Sequence, residues 1–187
     1  MVALTTGMRQ GELLGLRWSD IDLEGRTIHI RGSMQATRSG LRIAEPKTAS
    51  SRRQVMLSSQ PVEALRRHRK AQAAERLRLG AGWEDNDLVF ANEVGRPIAA
   101  GNLFRGSFEP LLKRAGLPRM RFHDLRHSAA TLLLGEGVHP KIVAEMLGHT
   151  RISTTLDLYS HVTPTMQRQA ADAFDELLIG AARSSRP

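Results

Sequence analysis

Cysteine is absent from this chain, tyrosine occurs once, and aromatic residues make up only 4% of its 187 positions. The missing cysteine excludes disulfides and thiolate metal sites, and it fits a reducing cytoplasm. So few aromatics argue against base stacking as the main mode of binding. No apolar run is long enough to span or anchor in a bilayer, and no signal peptide is visible. Lysine is scarce too: Lys47, Lys70, Lys113 and Lys141 are the only four. Arginine is abundant instead, and 27 Lys and Arg against 19 Asp and Glu leave a formal net charge of +8. The sequence pI is about 11.1, a balance that favours a polyanionic partner. Nucleic acid is the first candidate and backbone phosphate the first contact, since the basic residues are spread along the chain rather than gathered as a membrane-binding patch. With 41% hydrophobic residues, the length suits one domain with a real core and a tail.

Apolar periodicity predicts a short helix over 7–16, with Arg9 and Glu12 one turn apart on it. Residues 27–31, 41–44 and 54–57 alternate or are extended in character, which predicts a small antiparallel sheet with Lys47 between its second and third strands. Pro61 opens a long helix to 79, basic outside, with Val62, Leu65 and Leu77 inside. A loop over 80–87, an extended piece at 88–90 and a helix over 102–115 ending at Gly116 follow. Glycines then separate three short helices, 123–134, 140–147 and 152–159. Residues 165–179 place Met166, Ala170, Phe174, Leu177 and Leu178 on one helical stripe, and the Ser- and Arg-rich end at 183–187 is expected to be disordered. The fold class expected is α+β, mostly helical, with a small antiparallel sheet.

Six side chains then make a chemical set: Arg9, Lys47, His123, Arg126, His149 and Tyr159. Cleaving a phosphodiester with a phenol needs a base for a proton of pKa about 10, cations for two non-bridging oxygens and a proton for the leaving oxygen. Two guanidiniums suit the phosphoryl oxygens, lysine can give up a proton where arginine cannot, and histidine can take one near neutrality. Each residue also has a plainer role: a half-buried phenol, a helical Arg9–Glu12 ion pair, a hairpin lysine, a helix-ending histidine. His123 and His127 stand four apart, but no third ligand is spaced to join them around zinc.

Four runs resemble the boxes of the tyrosine recombinase (phage integrase) family, in the family's order from about residue 4 to 162: TTGMRQGELLGLRWSDID, EPKTASSRRQVML, HDLRHSAATLL and LGHTRISTTLDLYSHV. The resemblance implies the catalytic-domain fold of that family and site-specific breakage and rejoining of double-stranded DNA. By it, Tyr159 attacks the scissile phosphate to give a 3′-phosphotyrosine, Arg9 and Arg126 hold the phosphate, Lys47 is general acid to the 5′ oxygen, His123 is proton acceptor and His149 donates to a non-bridging oxygen. Glu12 orients the site. No ATP, cofactor or metal is implied, and self-association on DNA, as a tetrameric synapse, is. The catalytic domain is expected over 1–162, with a C-terminal helix and disordered tail over 163–187 that docks in cis or on a neighbour. Arg9 is already the ninth residue, so the family's N-terminal core-binding domain is expected to be missing. The alternative is a non-catalytic helix-turn-helix-like DNA-binding module over 139–159, or an inactive recombinase fragment; a type IB topoisomerase shares the chemistry in outline.

Overall fold

The computed structural model describes residues 1–44 and 52–158. Over them the chain is α+β and mostly helical, as expected, but the first helix is broken. Gly7, at φ +59, ends helix α1 (Val2–Thr6), and helix α2 (Gln10–Leu14) begins only after Arg9, which is its N-cap. The single helix expected over 7–16 is thereby corrected. The physical reason is a close approach: a β-carbon on Gly7 would collide with the Leu147 side chain, and its positive φ favours glycine. Glycine thus turns the chain while seating it against the later helices. Leu13, Leu14 and Leu16 are buried, as their pattern predicts.

Among the described residues five strands follow: β1 (Ile21–Asp22), β2 (Thr27–Ile30), β3 (Ser33–Thr37), β4 (Gly40–Ala44) and β5 (Arg53–Met56). The three strands predicted do not share a sheet. β2 pairs with β1 and β5 in a three-stranded antiparallel sheet, while β4 pairs with β3 in a separate hairpin, Met34 opposite Ile43 and Thr37 opposite Gly40. β3 escaped the pattern because of its five residues only Met34 is buried. In the larger sheet Ile28 faces Val55 across the ladder, and both side chains enter the core.

Helix α3 (Ser59–Leu79) covers this sheet with Pro61, Val62 and Leu65. Its inner side then turns polar. His68 Nε2 lies 2.6 Å from Val89 O, while the Gln72 amide donates to Leu88 O and accepts the Trp18 indole N–H at 2.6 Å. Leu77, expected inside, is 85% exposed, two turns or more beyond the last fully buried residue of the helix, Leu65. The extended piece at 88–90 is present: Leu88 bridges Arg17 and Val89 N–H donates to Leu16 O.

Helix α4 (Ala100–Leu103) passes through a π turn at Phe104–Phe108 into α5 (Glu109–Arg114), and Gly116 follows at φ +65. Pro110 has no N–H for the carbonyl four residues back, and the widened turn, in which Glu109 N–H reaches Phe104 O, accommodates it. Helices α6 (Asp124–Gly135), α7 (Pro140–Leu147) and α8 (Ser153–Leu158) match the expected spans closely. Ala130 and Leu134 of α6 pack on Val143 and Leu147 of α7, and α1 lies against α6. The main core joins Leu13, Ile28, Val55 and Leu65 to Phe108 and Phe122. Among the described residues no helix is long and apolar enough to cross a membrane. Lys47, Tyr159, the apolar stripe at 165–179 and the tail lie outside the described residues.

Candidate active site

Glu12 is the carboxylate around which the site is assembled, and it is 5% exposed. As the third residue of α2 it accepts the backbone N–H of Arg9, the N-cap, at 2.8 Å, and also accepts from Arg9 Nη1 at 2.8 Å. From the start of β5, Arg53 meets it fork to fork, Nη1 to Oε1 at 3.1 Å and Nη2 to Oε2 at 2.9 Å. Burial raises the Glu12 pKa, but the hydrogen bonds and charge of Arg53, then the hydrogen bonds of Arg9, more than offset this and hold it below the usual carboxylate value. Arg53 Nε also donates to Met146 O at 2.7 Å, which ties α2, β5 and the end of α7 together. Arg9 keeps 41% of its side chain exposed, and its Nη2 donates to Gly148 O at 3.3 Å.

Gly148, at φ +69, ends α7 and turns the chain toward His149, and a β-carbon there would fall 2.9 Å from Arg53 Nη1. Arg126, 4% exposed on the first turn of α6, donates Nη1 to Gly7 O at 2.7 Å. Its Nη2 is buried without a hydrogen-bond partner among the described residues. Burial, then the charges of Arg9 and Arg53, lower the Arg126 pKa to about 10, which leaves it charged at neutral pH. His149 Nδ1 lies 2.8 Å from Thr155 Oγ1. Burial and the charges of Arg126, Arg9 and Arg53 push His149 down to about 4. His123, the N-cap of α6, is also lowered, first by burial, then by His127, Arg126, Arg121 and Arg9. Both imidazoles are therefore neutral at pH 7.

The fold thus brings Arg9 and His149 to the Arg126 end of α6, where the charges of Arg9 and Arg126 act on both His149 and His123, and the guanidiniums of Arg9, Arg53 and Arg126 gather around one carboxylate. Arg53 joins them unpredicted: beside Lys47 in sequence it reads as a spare hairpin cation, whereas its partner Glu12 lies 41 residues away. The His123 and His127 rings stand edge to face at 5.0 Å, and among the described residues no three His, Cys, Asp or Glu gather as a metal site.

The chain is 37% identical over 191 residues to a tyrosine recombinase XerC-like protein of Caldanaerobacter subterraneus subsp. tengcongensis, covering 96% of this chain and 49% of the relative. It is 32% identical to the ICEBs1 integrase of Bacillus subtilis strain 168, covering 95% and 48%. The chain therefore spans about half the length of the curated relatives it matches. The fold is similar to that of the Tn1549 transposon integrase in complex with transposon right end DNA, with TM-score 0.77 and 28% identity over 92% of this chain and 56% of that one. The XerA recombinase is also similar, with TM-score 0.66 and 27% identity over 92% and 55%. The family model described as the phage integrase family matches residues 1–166, and with these relatives it establishes that the chain belongs to the phage integrase family of tyrosine recombinases.

Proposed function

We propose that residues 1–162 form the catalytic part of a cytoplasmic site-specific recombinase that breaks and rejoins double-stranded DNA through a 3′-phosphotyrosine at Tyr159. The observation that carries this is the buried Nη2 of Arg126, which has no hydrogen-bond partner among the described residues and lies within reach of the Arg9 charge. A buried donor on a charged group calls for an acceptor, and a phosphate oxygen supplies both the acceptor and the countercharge. In this reading Arg126 and Arg9 hold the two non-bridging oxygens, and neutral His149 donates to one of them. Tyr159 oxygen bonds to phosphorus as the bond from phosphorus to the 5′ oxygen breaks. The phenol's proton passes to neutral His123, and Lys47 gives a proton to the departing 5′ oxygen. Rejoining is the reverse, with a 5′ hydroxyl attacking the phosphotyrosine. The ester's energy stays in the covalent link, so neither ATP nor a metal enters the scheme. Self-association on DNA belongs to the same proposal.

A nicked duplex that loses its downstream fragment on cleavage traps the covalent state. The full chain is expected to form a denaturant-resistant adduct with such a duplex of its own target site, and Tyr159→Phe none, at similar DNA affinity. An adduct on the Phe variant would assign the nucleophile elsewhere.

A further inference from the structure

Thr155 has no part in the scheme above, yet it is fully buried on α8, four residues before Tyr159 in the chain. A buried hydroxyl needs an acceptor for its proton. In a helix the usual one is the carbonyl four residues back, here that of Arg151, but that oxygen takes the Thr154 N–H at 3.2 Å and makes no bond to the Thr155 side chain. Among the described residues, the one partner of Thr155 Oγ1 is His149 Nδ1, at 2.8 Å. We propose that Thr155 is a positioning residue whose hydroxyl donates to Nδ1 of His149, fixing the imidazole proton on Nε2.

The reverse arrangement, with Nδ1–H donating to Oγ1, would leave the buried hydroxyl proton with no acceptor among the described residues. A doubly protonated ring would do the same, and it would place a further cation beside Arg9, Arg53 and Arg126. The consequence for catalysis rests on the reading under Proposed function. A ring protonated on Nε2 offers a donor to a phosphate oxygen, whereas the other tautomer would turn a lone pair toward that anion. The hydroxyl also ties α8 to His149, the histidine that donates to the phosphate in that reading.

The test uses the full chain labelled with ¹⁵N in histidine, with long-range proton–nitrogen correlation spectra of His149 at neutral pH. Nδ1 is expected to be unprotonated and Nε2 protonated. Thr155→Val, of the same shape but without the donor, is expected to shift the ring toward the Nδ1–H form and to slow adduct formation about 10–100-fold, as loss of an orienting partner does around ligating histidines. Thr155→Ser is expected to restore both. A wild-type ring protonated on Nδ1 overturns the proposal even if the valine variant fails to fold, as does a folded valine variant with unchanged tautomer. A chain with the expected tautomer that forms no adduct sinks the recombinase reading and leaves the hydrogen-bond assignment standing.

Discussion

Arg53 and Glu12, 7% and 6% exposed at their side chains, form a buried pair on which the position of Arg9 depends. Removing one partner of such a pair strands the other charge, a loss of about 3–5 kcal/mol. Arg53→Met, which leaves Glu12 only the half-exposed Arg9 as partner, is therefore expected to lower unfolding free energy in urea by up to that amount. Adding Glu12→Gln should then cost much less than it does alone. Strictly additive losses would mean that the two side chains act independently. Lys47 calls for a chemical test. Lys47→Ala should cleave an ordinary duplex slowly yet recover most of its rate when the bridging 5′ oxygen is replaced by sulfur, because a thiolate leaves without a proton. Arg126→Lys should not recover, since its loss falls on the non-bridging oxygens. Equal rescue of both variants would move the acid away from Lys47. Arg9, His123, Arg126 and His149 were legible because each sits in a short run whose neighbours are local. Arg53 and Thr155 were not, because their roles lie in partners reached only when β5 meets α2 and α8 folds back on the turn after α7.

At the level of elements, the site is built on helix ends and turns: the α1–α2 break, the first turn of α6 and the turn between α7 and α8. Holding neutral histidines there makes stability depend on pH. His149 has a folded pKa of about 4, below its ordinary 6.5, so the unfolded chain takes the proton first as pH falls. Its contribution is complete above pH 6.5 and is lost between 6.5 and about 4. His123 shifts in the same direction, and the depressed Glu12 adds a further loss below its usual 4.5. The melting temperature should therefore begin to fall near pH 6.5 rather than near 4.5. His149→Asn, whose side-chain oxygen can still accept from Thr155, should flatten the upper part of that slope. A wild-type melting curve flat from pH 7 to 5 would contradict the burial of these rings. Helix spans near the site were readable from glycine and proline punctuation. The break at Gly7 was not, because the Leu147 side chain that requires it comes 140 positions later.

For the whole molecule, a formal net charge of +8 makes any binding to a polyanion an electrostatic matter. If affinity comes from phosphate contacts, log K should fall against log salt with a slope of about 0.9 per phosphate neutralised, largely regardless of sequence. Affinity unchanged between low and physiological salt would count against DNA as the partner. The sequence by itself determined the charge that selects a polyanion, the absence of thiol chemistry, the mostly helical class and the four runs that carry the family, since each depends on composition or on residues close along the chain. Only the tertiary structure decided that the strands divide into a three-stranded sheet and a separate hairpin, that Arg9 caps a helix rather than riding within one, and that Arg53 shares Glu12 with it. Strand partnership, burial and the pKa shifts that follow from burial depend on which distant segments meet, and local pattern carries little of that information.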